Sequence, residues 1–200
     1  MARNPPAIAI VGAGIAGLTA AATLRKLGLA PQIYEQAPAF GRVGAGIQLN
    51  PNAMKVVRGL GLEDRIRSVG FAPQAGYNRA WDSAEVMYLH PMGVAIEERF
   101  GAPDISLHRA DLHVAVASLN PHESIHFNRK LVGLDRKAGA VLLTFADGSA
   151  IAADAVIGAD GVHSTVLEIL LGAGVPRFTG QAAYLPSIAV RYSGAKLTIA

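Results

Sequence analysis

Residues 12 to 17 read Gly-Ala-Gly-Ile-Ala-Gly, a G-x-G-x-x-G segment flanked by two patterns that decide what it can be. The run before it, Ala7 to Val11, is short, apolar and rich in β-branched residues, as a parallel strand covered on both faces must be. After it, Ile15, Leu18, Ala22 and Leu29 keep a helical period with alanines between them, until Gly28 supplies a stop. Pro31 to Glu35 then forms a second strand and closes a βαβ unit. In that setting each glycine has a separate task. Gly12 turns the chain out of the strand, Gly14 lets a pyrophosphate approach the backbone, and Gly17 lets the helix pack on the sheet. The N–H groups of Ile15 and Ala16 open the helix, where the positive dipole end faces phosphate oxygens. Glu35 follows Gly17 by eighteen residues, at the end of the second strand. A carboxylate there accepts hydrogen bonds from a ribose diol and repels a 2′-phosphate. The pattern gives a dinucleotide site and does not by itself choose between NAD and FAD.

Two further segments bear on that choice. Gly41 to Ile47 carries Arg42 among glycines, Gly46 included, and offers a loop along which a long cofactor extends past its pyrophosphate. A plain NAD domain has no need of it. Gly158-Ala159-Asp160-Gly161-Val162-His163-Ser164 leaves an apolar strand and enters a helix that Ser164 caps. If that strand joins the parallel sheet, Asp160 and Gly161 arrive beside the first turn. A carboxylate cannot meet phosphate directly, so Asp160 is expected to act through water or on ribose.

Elsewhere, Pro51 opens a helix through Leu60, with Asn50 as its cap and Gly59-Leu60-Gly61 as its break. Glu63 to Arg67 reads as a solvated helix face. Phe71 to Pro103 loosens into short apolar stretches, read as strands and loops of an inserted, substrate-facing region rather than helix. Helical spacing returns from Arg109 to Leu119 and stops at Pro121. A β meander is expected next, from Ile125-His126-Phe127 through Leu131 to Leu134 and Ala140 to Phe145, with a hairpin at Asp147-Gly148 and one strand from Ala150 to Ile157. The expected fold class is therefore α/β: a Rossmann-type nucleotide fold with parallel sheet and β meander, and part of a second, β-rich domain. The expected division assigns 1–70 and 105–172 to the cofactor domain, and 71–104 with 173–200 to a partial substrate domain.

Composition removes several classes. There is no cysteine, hence no disulfide and no thiolate-held metal. Eighteen Lys and Arg against fifteen Asp and Glu leave a net charge of +3, with the basic pairs scattered, which does not make a nucleic-acid surface. The uncharged run from Ala7 to Leu24 is long enough to resemble a signal peptide or a membrane span, but three glycines at motif spacing and two threonines argue against both. Without a targeting segment the setting expected is cytoplasmic, with no membrane partner. His108, His113, His122, His126 and His163 show no metal-ligand spacing and are read as structural or exposed.

Taken together, GAGIAG, Tyr34-Glu35-Gln36, Arg42 with GAGIQLNPNAMK, His108 to Leu112 and GADGVHS resemble the single-component flavin-dependent aromatic monooxygenases, the group that includes salicylate hydroxylase and 6-hydroxynicotinate 3-monooxygenase. The likeness runs from about Ala7 to Tyr184. It implies FAD as cofactor, NADH or NADPH as co-substrate, dioxygen, and a small aromatic or N-heteroaromatic hydroxy acid as substrate. It implies that Glu35, Gln36 and Arg109 contact the FAD, that Arg42, Gly46 and Ile47 approach its flavin end, and that Leu131 supports its adenine. It also places Asp160 and Gly161 in a motif shared between FAD and nicotinamide binding. Where the hydroxynicotinate enzymes carry histidine this chain has Gln48, which faces substrate by the same resemblance but is no general base. Salicylate-hydroxylase-like members tolerate glutamine there.

The chain departs from that pattern twice. Leu167 stands where the family usually has an arginine after the serine, and no Gly-Asp dipeptide occurs to hold the ribityl chain. The expectation is a shortened product, altered from about residue 185, whose alternatives are a non-catalytic nucleotide-binding remnant and an NAD-dependent dehydrogenase.

Overall fold

The computed structural model describes residues 5–41, 44, 46–172, 174 and 177–180, together with the backbone of two short terminal strands at 190–193 and 196–199. The first strand, β1 (Ile8–Val11), is followed by helix α1 (Ile15–Lys26) and strand β2 (Gln32–Tyr34). Helix α1 ends as its sequence requires. Gly28 takes φ +80°, and the N–H groups of Gly28 and Leu29 close back on the carbonyls of Arg25 and Leu24. Arg25 and Lys26 occupy the last turn, where cations oppose the helix dipole, and no acidic residue neutralises the first turn.

The next elements are β3 (Gly46–Leu49), α2 (Pro51–Gly59), α3 (Glu63–Val69), β4 (Ala75–Arg79), β5 (Val86–Pro91), α4 (Val94–Phe100), β6 (Ile105–His108) and α5 (Arg109–Ala117). The remainder comprises β7 (Ile125–His126), β8 (Leu131–Lys137), β9 (Ala140–Phe145), β10 (Ala150–Ala153), β11 (Ala155–Gly158), α6 (Thr165–Leu171), and the antiparallel pair β12 (Val190–Ser193) and β13 (Lys196–Ile199).

A four-stranded sheet runs in the order β11-β1-β2-β7, and every pairing in it is parallel. Strand β1 therefore has one neighbour a single helix away in sequence and another arriving from the far end of the chain. This is the switch point at which open α/β sheets bind ligands beyond the strand carboxyl ends. The alternation along β1 builds two cores. Ile8 and Ile10 point to a helical layer with Leu18, Ala21, Leu112 and Val116, whereas Ala9 and Val11 point to Leu143, Phe145 and Val166. Ile10, Leu18 and Ile33 are fully buried, each contributing roughly 2 kcal/mol by leaving water. The second layer is the antiparallel sheet β10-β9-β8, so the parallel sheet lies between helices on one side and a β meander on the other.

Four local expectations are corrected. Ile125-His126 belongs to the parallel sheet beside β2, not to the meander. The run from Ala150 to Ile157 is two strands in two sheets, parted at Asp154, whose carboxylate accepts the N–H of Ala7 at 2.7 Å. Residues 71–103 contain a helix, α4, framed by Gly93 and by Gly101 in the left-handed conformation, where a side chain is disfavoured. Asn50 begins α2 without a side-chain capping bond, and Pro51 at the first helical position sets the start instead. The Glu63 to Arg67 face is solvated at Asp64, Arg65 and Arg67, as its charges suggest, while Glu63 is partly covered. Glu63 bonds to Arg58 and Arg67, Arg67 reaches Glu97 on α4 at 2.5 Å, and the Glu63 side chain is only 16% exposed.

Hairpin β4–β5 stands on the surface with Tyr77, Trp81, Met87 and Tyr88 exposed. Among the described residues, no helix is long and apolar enough to cross a membrane.

Candidate dinucleotide site

Gly12 takes φ +102°, and a Cβ on it would collide with the carbonyl of Ala159 at the end of β11. Its N–H donates to Tyr34 O at 2.8 Å, and Ala159 N–H donates to Val11 O at 2.8 Å. The first turn is thus laced to both neighbouring strands. Gly17 has no room either, because a Cβ there would strike the carbonyl oxygen of Gly12. Gly14 differs from both. Its φ of −72° suits any residue, and a Cβ on it would meet nothing within 4 Å. The space in front of Gly14 is open, which is what a backbone kept clear for an incoming group looks like.

Two clefts meet across this turn. The first, about 210 Å3, is bounded by Gly12, Gly14, Glu35 and Gln36 on one side, Lys130 and Leu131 on another, and Asp160 and Gly161 at its end. The second, about 200 Å3, shares Gly14 and Glu35 with the first and continues past Ala13, Phe40, Arg109 and His113. Glu35 stands between them. Its Oε2 accepts the Ala13 N–H at 2.7 Å and its Oε1 accepts the Ala37 N–H at 2.9 Å. Each carboxylate oxygen keeps acceptor capacity beyond one bond, so the group still serves a ribose diol.

Most residues anticipated for the site gather here. Gly12, Gly14, Glu35, Gln36, Leu131, Asp160 and Gly161 line the first cleft, and Arg109 lines the second. Ile15, Ala16 and Gly17 form the first turn of α1 directly behind Gly14. Gly46 and Ile47 lie on β3, where Gly46 pairs with His108, and the backbone at Gly44 rests on the Arg109 stem, with a Cβ there 3.1 Å from Arg109 Cβ. Arg42 lies outside the described residues. Gln48 is apart from both clefts, and its Nε2 donates to Oδ1 of buried Asp104 at 2.8 Å. Asp160 has a definite local partner set. Its Oδ1 accepts from Ser164 Oγ at 2.5 Å and its Oδ2 from Val166 N–H at 3.0 Å, while Ser164 Oγ accepts Leu167 N–H at 3.0 Å. Asp160 and Ser164 cap α6 together.

Among the cleft residues that escaped the sequence reading, three are basic or titratable side chains, Arg129, Lys130 and His113. Arg129 and Lys130 look like one more scattered basic pair, but the Arg129 N–H donates to Glu35 O at 2.8 Å and the Ala146 N–H to Lys130 O at 2.9 Å, which sets them beside the cleft. Arg129 bonds to Asp147 and Ser149, and its guanidinium lies 6.0 Å from the centre of the Phe145 ring. Beneath it, Tyr34 is stacked between His126 and Phe145, at 4.9 and 5.1 Å between ring centres. Burial raises the Tyr34 phenol above its ordinary pKa, with Arg129 opposing, and burial followed by Arg129 lowers that of His126. Both shifts favour the uncharged forms, and with Phe145 the two rings make a stacked aromatic floor. The third of these is His113, one of five histidines without a spacing signal, whose Nε2 lies 2.8 Å from Ala13 O.

The geometry fits an extended adenine dinucleotide: open space at Gly14, unneutralised helix N–H groups behind it, a carboxylate at the strand end, and a cleft on each side. The profile of the FAD binding domain family matches residues 6–191. The chain belongs to that family. The match runs beyond Tyr184, where the sequence likeness was expected to end. Within the family the chain is 42% identical over 182 residues to a 6-hydroxynicotinate 3-monooxygenase of Bordetella bronchiseptica, covering 91% of this chain and 48% of that protein. It is 43% identical over 177 residues to a 3-amino-4-hydroxybenzoate 2-monooxygenase of Streptomyces cremeus, covering 88% and 45%. Among solved structures, Klebsiella pneumoniae HpxO complexed with FAD and uric acid superposes with a TM-score of 0.73 at 29% identity, over 81% of this chain and 41% of that one. The chain thus spans about half the length of the relatives it matches. The expected Rossmann-type FAD-binding fold stands, and so does the resemblance to flavin-dependent aromatic monooxygenases.

Proposed function

We propose that this chain holds FAD across the two clefts, as the cofactor-holding part of a monooxygenase that hydroxylates an aromatic or N-heteroaromatic hydroxy acid with NADH or NADPH and dioxygen in the cytoplasm. The observation that carries this reading is the junction at Gly14 and Glu35, where an open backbone and a strand-end carboxylate are shared by both clefts. The relatives named as monooxygenases support the reaction class.

In this reading Glu35 accepts the ribose hydroxyls, while Gly14, Ile15 and Ala16 present N–H groups to the pyrophosphate. Leu131 and the aromatic floor under it support adenine, with Gln36 at the edge. Arg109, Gly46 and Ile47 lie along the path toward the flavin, a place the family resemblance also assigns to Arg42. Asp160 and Gly161 hold the wall from which α6 departs. Bound FAD supplies the chemistry this residue set lacks, taking electrons from NAD(P)H and passing them to dioxygen. The chain's own contribution is to bind, orient and exclude water at the cofactor. We assign residues 71–104 to a substrate-facing region and Gln48, oriented by Asp104, to its polar side.

Purification under native conditions tests the proposal. A yellow protein whose NAD(P)H oxidation rises with a phenolic acid supports it. A colourless protein that binds only an adenine nucleotide favours a non-catalytic nucleotide-binding role, and flavin-free hydride transfer favours a dehydrogenase.

A further inference from the structure

The Ala13 peptide units are held from opposite ends by residues far away in sequence. The Ala13 N–H donates to Glu35 Oε2 at 2.7 Å, and the Ala13 carbonyl meets His113 Nε2 at 2.8 Å across 100 residues. A carbonyl oxygen only accepts, so Nε2 carries the proton and the contact selects that tautomer. The ring has little freedom to turn away. Phe40 meets it edge-on at 4.8 Å between centres, and Phe40 in turn meets Phe127 edge-on at 4.9 Å.

The consequence falls on the next residue. The chain contains no cis peptide among the described residues, and in a trans unit the C=O and the following N–H point in opposite directions. Drawing the Ala13 carbonyl toward His113, which lines the second cleft, therefore turns the Gly14 N–H the other way, away from His113. The flanking units have other partners. The Gly12–Ala13 unit is held at its N–H by Glu35 Oε2 at 2.7 Å, and the Gly14–Ile15 unit at its C=O by the N–H of Leu18 at 3.0 Å. The Ala13–Gly14 unit takes its partner from α5, the His113 side chain.

We propose that His113 is a positioning residue for the dinucleotide pyrophosphate: it locks the Ala13–Gly14 peptide so that the Gly14 N–H faces the phosphate oxygens. The inference rests on reading the clefts as a dinucleotide site and adds the residue that sets its donor. Preorganised N–H groups bind anions well because no reorientation remains to be done on binding. Without His113 the peptide is free to rotate, and its carbonyl then opposes the anion it should receive.

The test compares ligands with and without phosphates. The full chain and its His113→Leu and His113→Gln variants are titrated with adenosine, ADP and FAD by calorimetry, and each is melted without ligand. His113→Leu should bind ADP and FAD about tenfold more weakly, yet bind adenosine as the wild type does. His113→Gln, whose amide N–H reaches the same carbonyl, should recover most of the loss. Should the leucine variant melt too early for titration, His113→Asn, with an amide too short to reach Ala13, serves in its place. Equal weakening of adenosine and ADP would show a general structural role and overturn the inference, as would unchanged ADP affinity. A wild-type chain that binds none of the three overturns the dinucleotide reading itself, a result separable because no variant enters it.

Discussion

Gly17 lies directly beneath Gly12, so close that a single methyl group on Gly17 would overlap the carbonyl oxygen of Gly12, whereas Gly14 between them has free space on its Cα. Two glycines of one motif therefore serve the fold and one serves the ligand.

Gly17→Ala should destabilise the chain by about 2 kcal/mol or more, since the neighbour it strikes is backbone and cannot move aside cheaply. That corresponds to a melting temperature lower by roughly 4 °C or more in a chain of this size. Gly14→Ala should melt with the wild type and bind FAD at least about tenfold more weakly, ~1.4 kcal/mol. Thermal melts paired with flavin fluorescence titration separate the two. Equal melting temperatures for both variants would contradict the division of labour.

Glu35 anchors two backbone donors besides facing the cleft. Glu35→Ala leaves the N–H groups of Ala13 and Ala37 without their acceptor, at a cost of about 1–3 kcal/mol for a part-buried donor pair. Glu35→Gln keeps one acceptor oxygen and should retain most of the stability while still losing dinucleotide affinity. Urea unfolding of both variants measures the first effect and titration with FAD the second. Full stability in Glu35→Ala would show that water replaces the carboxylate at the turn.

Acid should loosen the contact between α2 and α3, where Glu63 bonds to Arg58. Hydrogen bonding from Arg58, then from Arg67, holds Glu63 at a pKa of about 2, below the 4.5 of a free side chain. A carboxyl with a depressed folded-state pKa binds its proton more readily in the unfolded chain. Its stabilisation is whole above about pH 4.5 and drains away as pH falls toward 2. Urea midpoints followed from pH 6 to pH 2 should therefore fall more steeply for the wild type than for Glu63→Gln, the two curves converging at the acid end. Parallel curves would remove Glu63 from the account.

Asp160→Ala should fray α6. Its carboxylate caps the helix through Ser164 and the Val166 N–H, and loss of such a cap costs about 1 kcal/mol. Hydrogen exchange at Val166 and Leu167 should accelerate while exchange in β1 stays slow. Unchanged protection at both amides would mean that packing of Val166 alone holds the turn.

What could be read before folding was whatever is encoded locally. The strand, turn, helix and acid from Ala7 to Glu35 lie within one βαβ unit, and their periodicities and spacing announce them. The errors fall where the partner is distant. Ile125-His126 is too short to carry a pattern of its own, and its pairing with Ile33 and Tyr34 depends on the whole sheet assembling. Asp154, a lone carboxylate inside an apolar run, was a readable sign that the strand breaks there. The run of helix formers Ala95 to Arg99, closed by Gly93 and Gly101, was a readable sign of α4. His113, Arg129 and Lys130 left no such sign, because their place in the clefts is created by tertiary packing alone.

The strand order has a consequence for how the molecule is made. The far wall of the site comes from β11, and the contact that begins it, between Ala7 and Asp154, joins residues 147 apart. At translation rates of about 5–20 residues per second, β1 leaves the ribosome roughly 7–30 s before its second neighbour exists. During that interval β1 is an apolar strand with one open edge, the kind of edge that recruits other strands. The nascent chain thus carries an aggregation hazard in the strand that leads into the nucleotide turn, until β11 closes the open edge of residues 8–11.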